Sequence, residues 1–210
     1  MPLAGGCGSV SAGGTITVTP ANTISLTSAV GTDNQNACQN FAITNITYST
    51  TGATGATVTG LPACVAGVWV ANVVTISGSP TATGTFSYSV NLSGGCGTVT
   101  KTGKIIVSAN PSPVISGSNS VCPNASGIVY STPFVAGDTY LWAVTGGTIS
   151  GSATGNSVTV NWGGTGIGTL TVTETNASGC TTTTPVFNVT KVDIVAPNAV
   201  CKNATIYVDA

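Results

Sequence analysis

"GGCGTVTKTGKIIV" occupies residues 94–107, and residues 5–18 read "GGCGSVSAGGTITV". Gly94, Gly95, Cys96, Gly97, Val99, Gly103, Ile105 and Val107 each repeat a residue 89 positions earlier. Self-similarity at a fixed offset marks a repeated structural unit. Inside the repeat, apolar residues alternate with Thr, Ser or Lys, which is the pattern of a strand with one buried face. The alternation continues through "NTISLTS" (22–28), "ITNITYS" (43–49), "GTFSYSV" (84–90), "TYLWAVTGG" (139–147), "NSVTVNWGG" (156–164), "GTLTVTET" (168–175) and "TPVFNVTKV" (184–192). Gly, Pro and Asn clusters separate these runs and interrupt helical windows. About seven short strands per segment predict an all-β chain of β-sandwiches.

At 210 residues the chain has room for two domains of about 100 residues, as the repeat implies. "SANPSPVISGSNS" (108–120) reads as a stiff, extended hinge between them, because its prolines restrict the backbone. The expected organisation is the tail of a preceding repeat at 1–19, sandwiches at 20–109 and 110–190, and the first strand of a further repeat at 191–210.

Charged residues are 4% of the chain, against roughly 25% in an average soluble protein, so the polar surface must be built from hydroxyls and amides. There are four Lys and Arg residues together and no His. No basic footprint exists for nucleic acid or anionic lipid. The most apolar stretch, "LPACVAGVWVANVVTI" (61–76), is too short and too interrupted to span a membrane, so it is expected in a core and no membrane insertion is expected.

Seven cysteines suggest an oxidising compartment. Cys38 precedes Cys96 by 58 residues, and Cys122 precedes Cys180 by 58. Each pair opens in Cys-x-Asn ("CQN", "CPN") and closes in Gly-Cys ("GGC", "SGC"). One disulfide within each domain, Cys38–Cys96 and Cys122–Cys180, is the expectation. Cys7 repeats the closing motif and Cys201 the opening one, so both read as halves of bridges to neighbouring modules. Cys64 is left over, either as a buried thiol or as a partner for Cys7. Zinc is disfavoured by the absence of Cys-x-x-Cys and of His.

"GLPACVAGVWVANVVTISGSPTATGTFSYSV" (60–90) resembles immunoglobulin-like repeats whose signature runs Gly-Leu-Pro, Ile-Ser-Gly-x-Pro, then Gly-Thr-aromatic. It departs at Cys64, where that pattern usually carries glycine. "YLWAVTGG" (140–147), "VNWGG" (160–164) and "LTVTETNASGC" (170–180) resemble PKD-like modules of bacterial surface proteins, and the last twenty residues resemble the opening of a hyalin-type repeat. In combination the motifs resemble the repeat regions of SprB-type gliding-motility adhesins of Bacteroidota. That resemblance implies type IX export, display on the outer cell surface, and a filament moved by the gliding machinery through the full-length protein.

Chemistry for catalysis is sparse, and no enzymatic activity and no cofactor are expected. The five carboxylates, Asp33, Asp138, Glu174, Asp193 and Asp209, are dispersed in sequence and read as solvated. No local carboxylate cluster suggests calcium. Trp142 and Trp162 share strand faces with Tyr140 and Val144, and with Val158 and Val160, which places them in the core. Trp142 is expected near a Cys122–Cys180 bridge by analogy with immunoglobulin sandwiches. Trp69 is the residue expected to be partly exposed and the candidate ligand contact. It motivates an alternative, a carbohydrate-binding module with surface polysaccharide as partner. The leading expectation is a structural segment of an adhesin filament whose partners are neighbouring repeats of the same chain, acting as disulfide-locked beads in a stalk.

Overall fold

The computed structural model describes residues 13–193. Every regular element among them is a strand. The chain divides into two compact units: one runs up to Gln35 and resumes over Ala42–Ile106, and the other combines Asn36–Phe41 with the chain from Val107 onward. Cys7 and Cys201, the hyalin-like "CKN" and most of the segment 191–210 lie outside the described residues. Residues 14–20 form no strand and are exposed, with Ile16 at 90% and Val18 at 84%.

The first unit is built on β1 (Thr23–Leu26), β2 (Asn34–Cys38), β3 (Ile46–Thr51), β4 (Gly55–Thr59), β5 (Val65–Val70), β6 (Val73–Gly78), β7 (Gly84–Ser93) and β8 (Thr100–Ser108), of which β2 from Asn36 and β8 from Val107 belong to the second unit. They form two sheets ordered β1-β3-β6-β5 and β2-β8-β7-β4. Lettered in chain order with β2 as a short accessory strand, this is the A-B-E-D against C-F-G arrangement of an immunoglobulin sandwich. The period-two reading fixes the inward faces: Ile46 and Tyr48 on β3, Val74 and Ile76 on β6, Tyr88 and Val90 on β7 are buried. The Tyr48 and Tyr88 hydroxyls meet at 2.8 Å between the sheets. Burial is the main reason both phenols are held above their ordinary pKa, so they stay neutral hydroxyls. A Cβ at Gly103 would collide with the Tyr88 hydroxyl, which accounts for glycine inside β8.

The second unit repeats the plan with β9 (Ser120–Val121), β10 (Ile128–Ser131), β11 (Thr139–Thr145), β12 (Gly147–Ser150), β13 (Ser157–Trp162), β14 (Gly166–Thr175), β15 (Thr181–Thr183) and β16 (Phe187–Lys191). One sheet is ordered β10-β13-β12, and the other β11-β14-β16-β9 with β15 also on β14. Its core gathers Tyr130, Trp142, Val158, Val160, Trp162 and Leu170 among others. Trp162 donates from Nε1 to the Tyr130 hydroxyl at 3.1 Å and meets that ring edge-on at 6.0 Å.

Residues 108–120 are part of this second unit rather than a hinge. Ile115 is 9% exposed and joins the core, Ser116 bridges Ser131, and Asn176 Nδ2 donates to the Ala109 carbonyl at 2.8 Å. Its carbonyls and Ile115 have partners to satisfy, and packing supplies them.

Candidate functional site

Cys38 is bonded to Cys180, with the Cα atoms 5.6 Å apart. Cys96 and Cys122 are free thiols, the first exposed and the second partly so. This corrects both expected pairings, Cys38–Cys96 and Cys122–Cys180. Strand direction is the physical reason. Asp33 lies beside Lys104 (Lys104 N to Asp33 O, 2.8 Å) and Gln39 beside Ser108 (Gln39 N to Ser108 O, 2.9 Å), so β2 runs parallel to β8. Cys38 therefore sits at the last residue of β8, whereas Cys96 precedes its first. At about 3.3 Å per residue the strand separates them by some 25 Å, far beyond the roughly 7 Å that a disulfide tolerates between Cα atoms.

The same rule holds in the second unit. β9 pairs parallel with β16, Thr190 opposite Ser120 and Lys191 opposite Val121, which carries Cys122 to the end of β16 and away from Cys180. Trp142 is buried, with Nε1 donating to the Gly155 carbonyl at 2.8 Å, but the bridge expected beside it does not exist.

Residues 36–41 are held in the second unit by more than the disulfide. Asn110 Nδ2 donates to the Gln39 carbonyl at 3.0 Å, and the Ser108 and Ser178 hydroxyls meet at 2.9 Å next to Cys180. Cys180 is 1% exposed, and its N–H donates to Asn176 Oδ1 at 3.0 Å.

Cys64 is exposed, which corrects the expectation of a buried thiol. It occupies a turn closed by Val65 N to Pro62 O at 3.1 Å, with φ +65. Glycine takes that conformation without steric cost, as the glycine expected at this position would. Trp69 lies on β5 with Val65 and Gly67 on its face and is partly buried. Its Nε1 donates to Thr50 Oγ1 at 3.0 Å, and Thr50 itself is buried. The indole's polar edge is thus committed inside the fold.

Two carboxylates dispersed in sequence come together. Glu174 continues the inward face of β14 after Leu170 and Val172 and is 4% exposed, opposite Tyr140 of β11. It corrects the solvated reading of that residue. Burial raises the Glu174 pKa above its ordinary value, and hydrogen bonding to Asp138 raises it further, while the Tyr140 hydroxyl acts in the opposite sense. The pair lies at a recess of about 370 Å³ walled also by Asn110, Pro111, Pro133 and Asn176. Among the described residues no group of three or more His, Cys, Asp or Glu is placed to hold a metal ion.

A raised folded-state pKa makes Glu174 favour the fold below about pH 4.5 and lose that contribution as pH rises through the folded value. Glu174→Gln keeps a hydrogen-bonding side chain and removes the charge. The variant is expected to gain thermal stability relative to the parent progressively from pH 4.5 toward 7. Melting curves of the two proteins that stay parallel across that range would contradict this.

Residues 107–189 match the PKD-like domain family, about two fifths of the chain. Comparison with curated protein sequences found no match. Among solved structures, an I-band fragment of titin aligns over 75% of this chain and 62% of its own length, with 11% identity and TM-score 0.43. An ICAM-5 ectodomain fragment covers 85% of this chain and 53% of its own length at 8% identity and TM-score 0.42. An endo-fucoidan hydrolase from glycoside hydrolase family 107 covers 74% of this chain and 32% of its own length at 14% identity and TM-score 0.31. The chain is a tandem of immunoglobulin-like and PKD-like β-sandwiches by its own strand order and by the PKD-like match.

Proposed function

We propose that this chain is a structural repeat segment of a long exported cell-surface adhesin filament, of the kind used for surface attachment and gliding, and that it acts as a disulfide-locked stalk. Several features support the reading. Two sandwiches of one topology follow each other, the second matches the PKD-like family, and a disulfide-bonded module of this class belongs to the extracellular or surface type. The near-absence of charge leaves hydroxyls and apolar contact as the means of attachment.

The observation that carries the proposal is the Cys38–Cys180 bond. Its ends are 142 residues apart in sequence, so tension applied along the backbone passes from β2 through the sulfurs to β15 and bypasses everything between. A stalk that must not lengthen under load gains directly from such a bypass.

Single-molecule pulling on the chain held near its ends tests this. Under oxidising conditions the residues between the two cysteines are expected to contribute nothing to the fully extended length. Reductant should add roughly 500 Å, at about 3.5 Å per released residue. Equal extension with and without reductant would remove the load-bearing role.

A further inference from the structure

Cys122 is the structural counterpart of Cys38, and Cys96 of Cys180. Cys38 precedes Cys122 by 84 positions, and Cys96 precedes Cys180 by the same 84. The two opening cysteines head the same turn: Phe41 N donates to the Cys38 carbonyl at 3.1 Å and Ala125 N to the Cys122 carbonyl at 3.2 Å. Asn40 and Asn124, at the third turn position, have φ +65 and +60. Such a turn requires positive φ there, and Asn tolerates it. The two closing cysteines follow glycines of positive φ, Gly95 and Gly179, in the connection after β7 and β14 respectively.

Position within each module is also shared. The opening cysteine lies beside the end of the last strand of its sequence repeat, Cys38 at the end of β8 and Cys122 at the end of β16, where Val192 N donates to the neighbouring Val121 carbonyl at 3.0 Å. The closing cysteine lies where the chain arrives. Cys96 N donates to Pro20 O at 2.9 Å, and the loop bearing Cys180 is tied to Ser108 and Ala109. A parallel accessory strand thus sends the opening cysteine to the departing end, and the one disulfide described joins it to the closing cysteine of the next sequence repeat.

We propose that Cys96 and Cys122 are the two ends of this same staggered linkage, with modules of this class as their partners. Cys122 bonds the closing cysteine of a module that follows it, and Cys96 bonds the opening cysteine of one that precedes it, as Cys38 bonds Cys180. Cys64 has no counterpart in the scheme. Each bond forms from two thiols, which give up two protons and two electrons to the disulfide of a thiol oxidoreductase, and that oxidant leaves as a dithiol. Each sequence repeat in an array then shares a disulfide with the repeat on either side of it in the sequence. The inference rests on the proposed repeat architecture for its partners, but not on adhesion or gliding.

Duplication supplies the missing partner. In the full chain with a second copy of residues 110–190 inserted after residue 190, Cys122 of the first copy is expected to bond the added Cys180, and its alkylation by N-ethylmaleimide to fall from complete to background. In a second variant, a copy of residues 20–109 inserted before residue 20 should bond its Cys38 to the original Cys96. Peptide mapping without reductant reads both, and formation of the original Cys38–Cys180 bond reports folding. Either new bond supports the proposal. It is overturned when Cys122 and Cys96 still label fully in chains that have formed Cys38–Cys180, or when opening and closing cysteines of one copy bond each other. A chain that neither adheres nor carries load would still show the linkage, so its failure is separable from that of the adhesin reading.

Discussion

Cys38→Ala is expected to lower the thermal midpoint of the second unit by well over ten degrees. The bond closes a loop of 142 residues, and on the chain-entropy model a loop of that size restricts the unfolded chain by about 5 kcal/mol. The dependence on length is logarithmic, so the figure changes little if the first unit stays folded inside the loop. For a unit of about 100 residues each kcal/mol corresponds to roughly 4–8 °C. Cys180→Ala should match it, and the double variant should be hardly worse than either, because each substitution alone already removes the bond. Calorimetry of the three variants checks this. A double variant whose loss equals the sum of the singles would mean that packing of the two side chains, and not the covalent link, sets the effect. Cys96→Ala and Cys122→Ala, made in the same chain, should leave the midpoint nearly unchanged.

Trp162→Ala is expected to cost about 3–5 kcal/mol, in the range for removing a buried aromatic side chain. The ring is 4% exposed, bonds the Tyr130 hydroxyl, and lies 6.0 Å from the Lys191 ammonium, which itself donates to the Gly146 carbonyl at 2.8 Å. The Tyr130 hydroxyl retains its bond to the Ser118 carbonyl at 2.9 Å, so no phenol is orphaned by the change. A Cβ at Gly168 would run into the Trp162 ring, and Gly168 has no unusual φ. Gly168→Ala should therefore destabilise the parent by overpacking, about 1–3 kcal/mol, and cost little or even help in Trp162→Ala, where it fills vacated space. Denaturant melts of the two singles and the double test the coupling. Strict additivity would show that the glycine serves some purpose other than making room for the ring.

The inward faces of the strands were open to reading because period two is a local property. Trp142, Trp162, Leu170 and Val172 are buried where alternation puts them. Glu174 occupies the next inward position after Val172, so the same alternation contained the signal for its burial. Dispersion along the sequence hid its partner, since Asp138 reaches it only when β11 lies against β14 with Tyr140 opposite Glu174. Trp69 likewise sits on an inward position of β5, but only the approach of Thr50 from β3 reveals that its N–H is taken.

By itself, then, the sequence determined an all-β chain of tandem β-sandwiches and most of the residues that face inward, because alternation and turn chemistry act over a few neighbouring residues. Cysteine pairing was decided only in the tertiary structure. Equal spacings and matching motifs fit an in-module bond and a staggered bond alike. The choice falls to the parallel course of β2 along β8, which places Cys38 a whole strand length from Cys96 and within bonding distance of Cys180. Strand direction depends on hydrogen bonds between segments some 70 residues apart, and no local pattern encodes it.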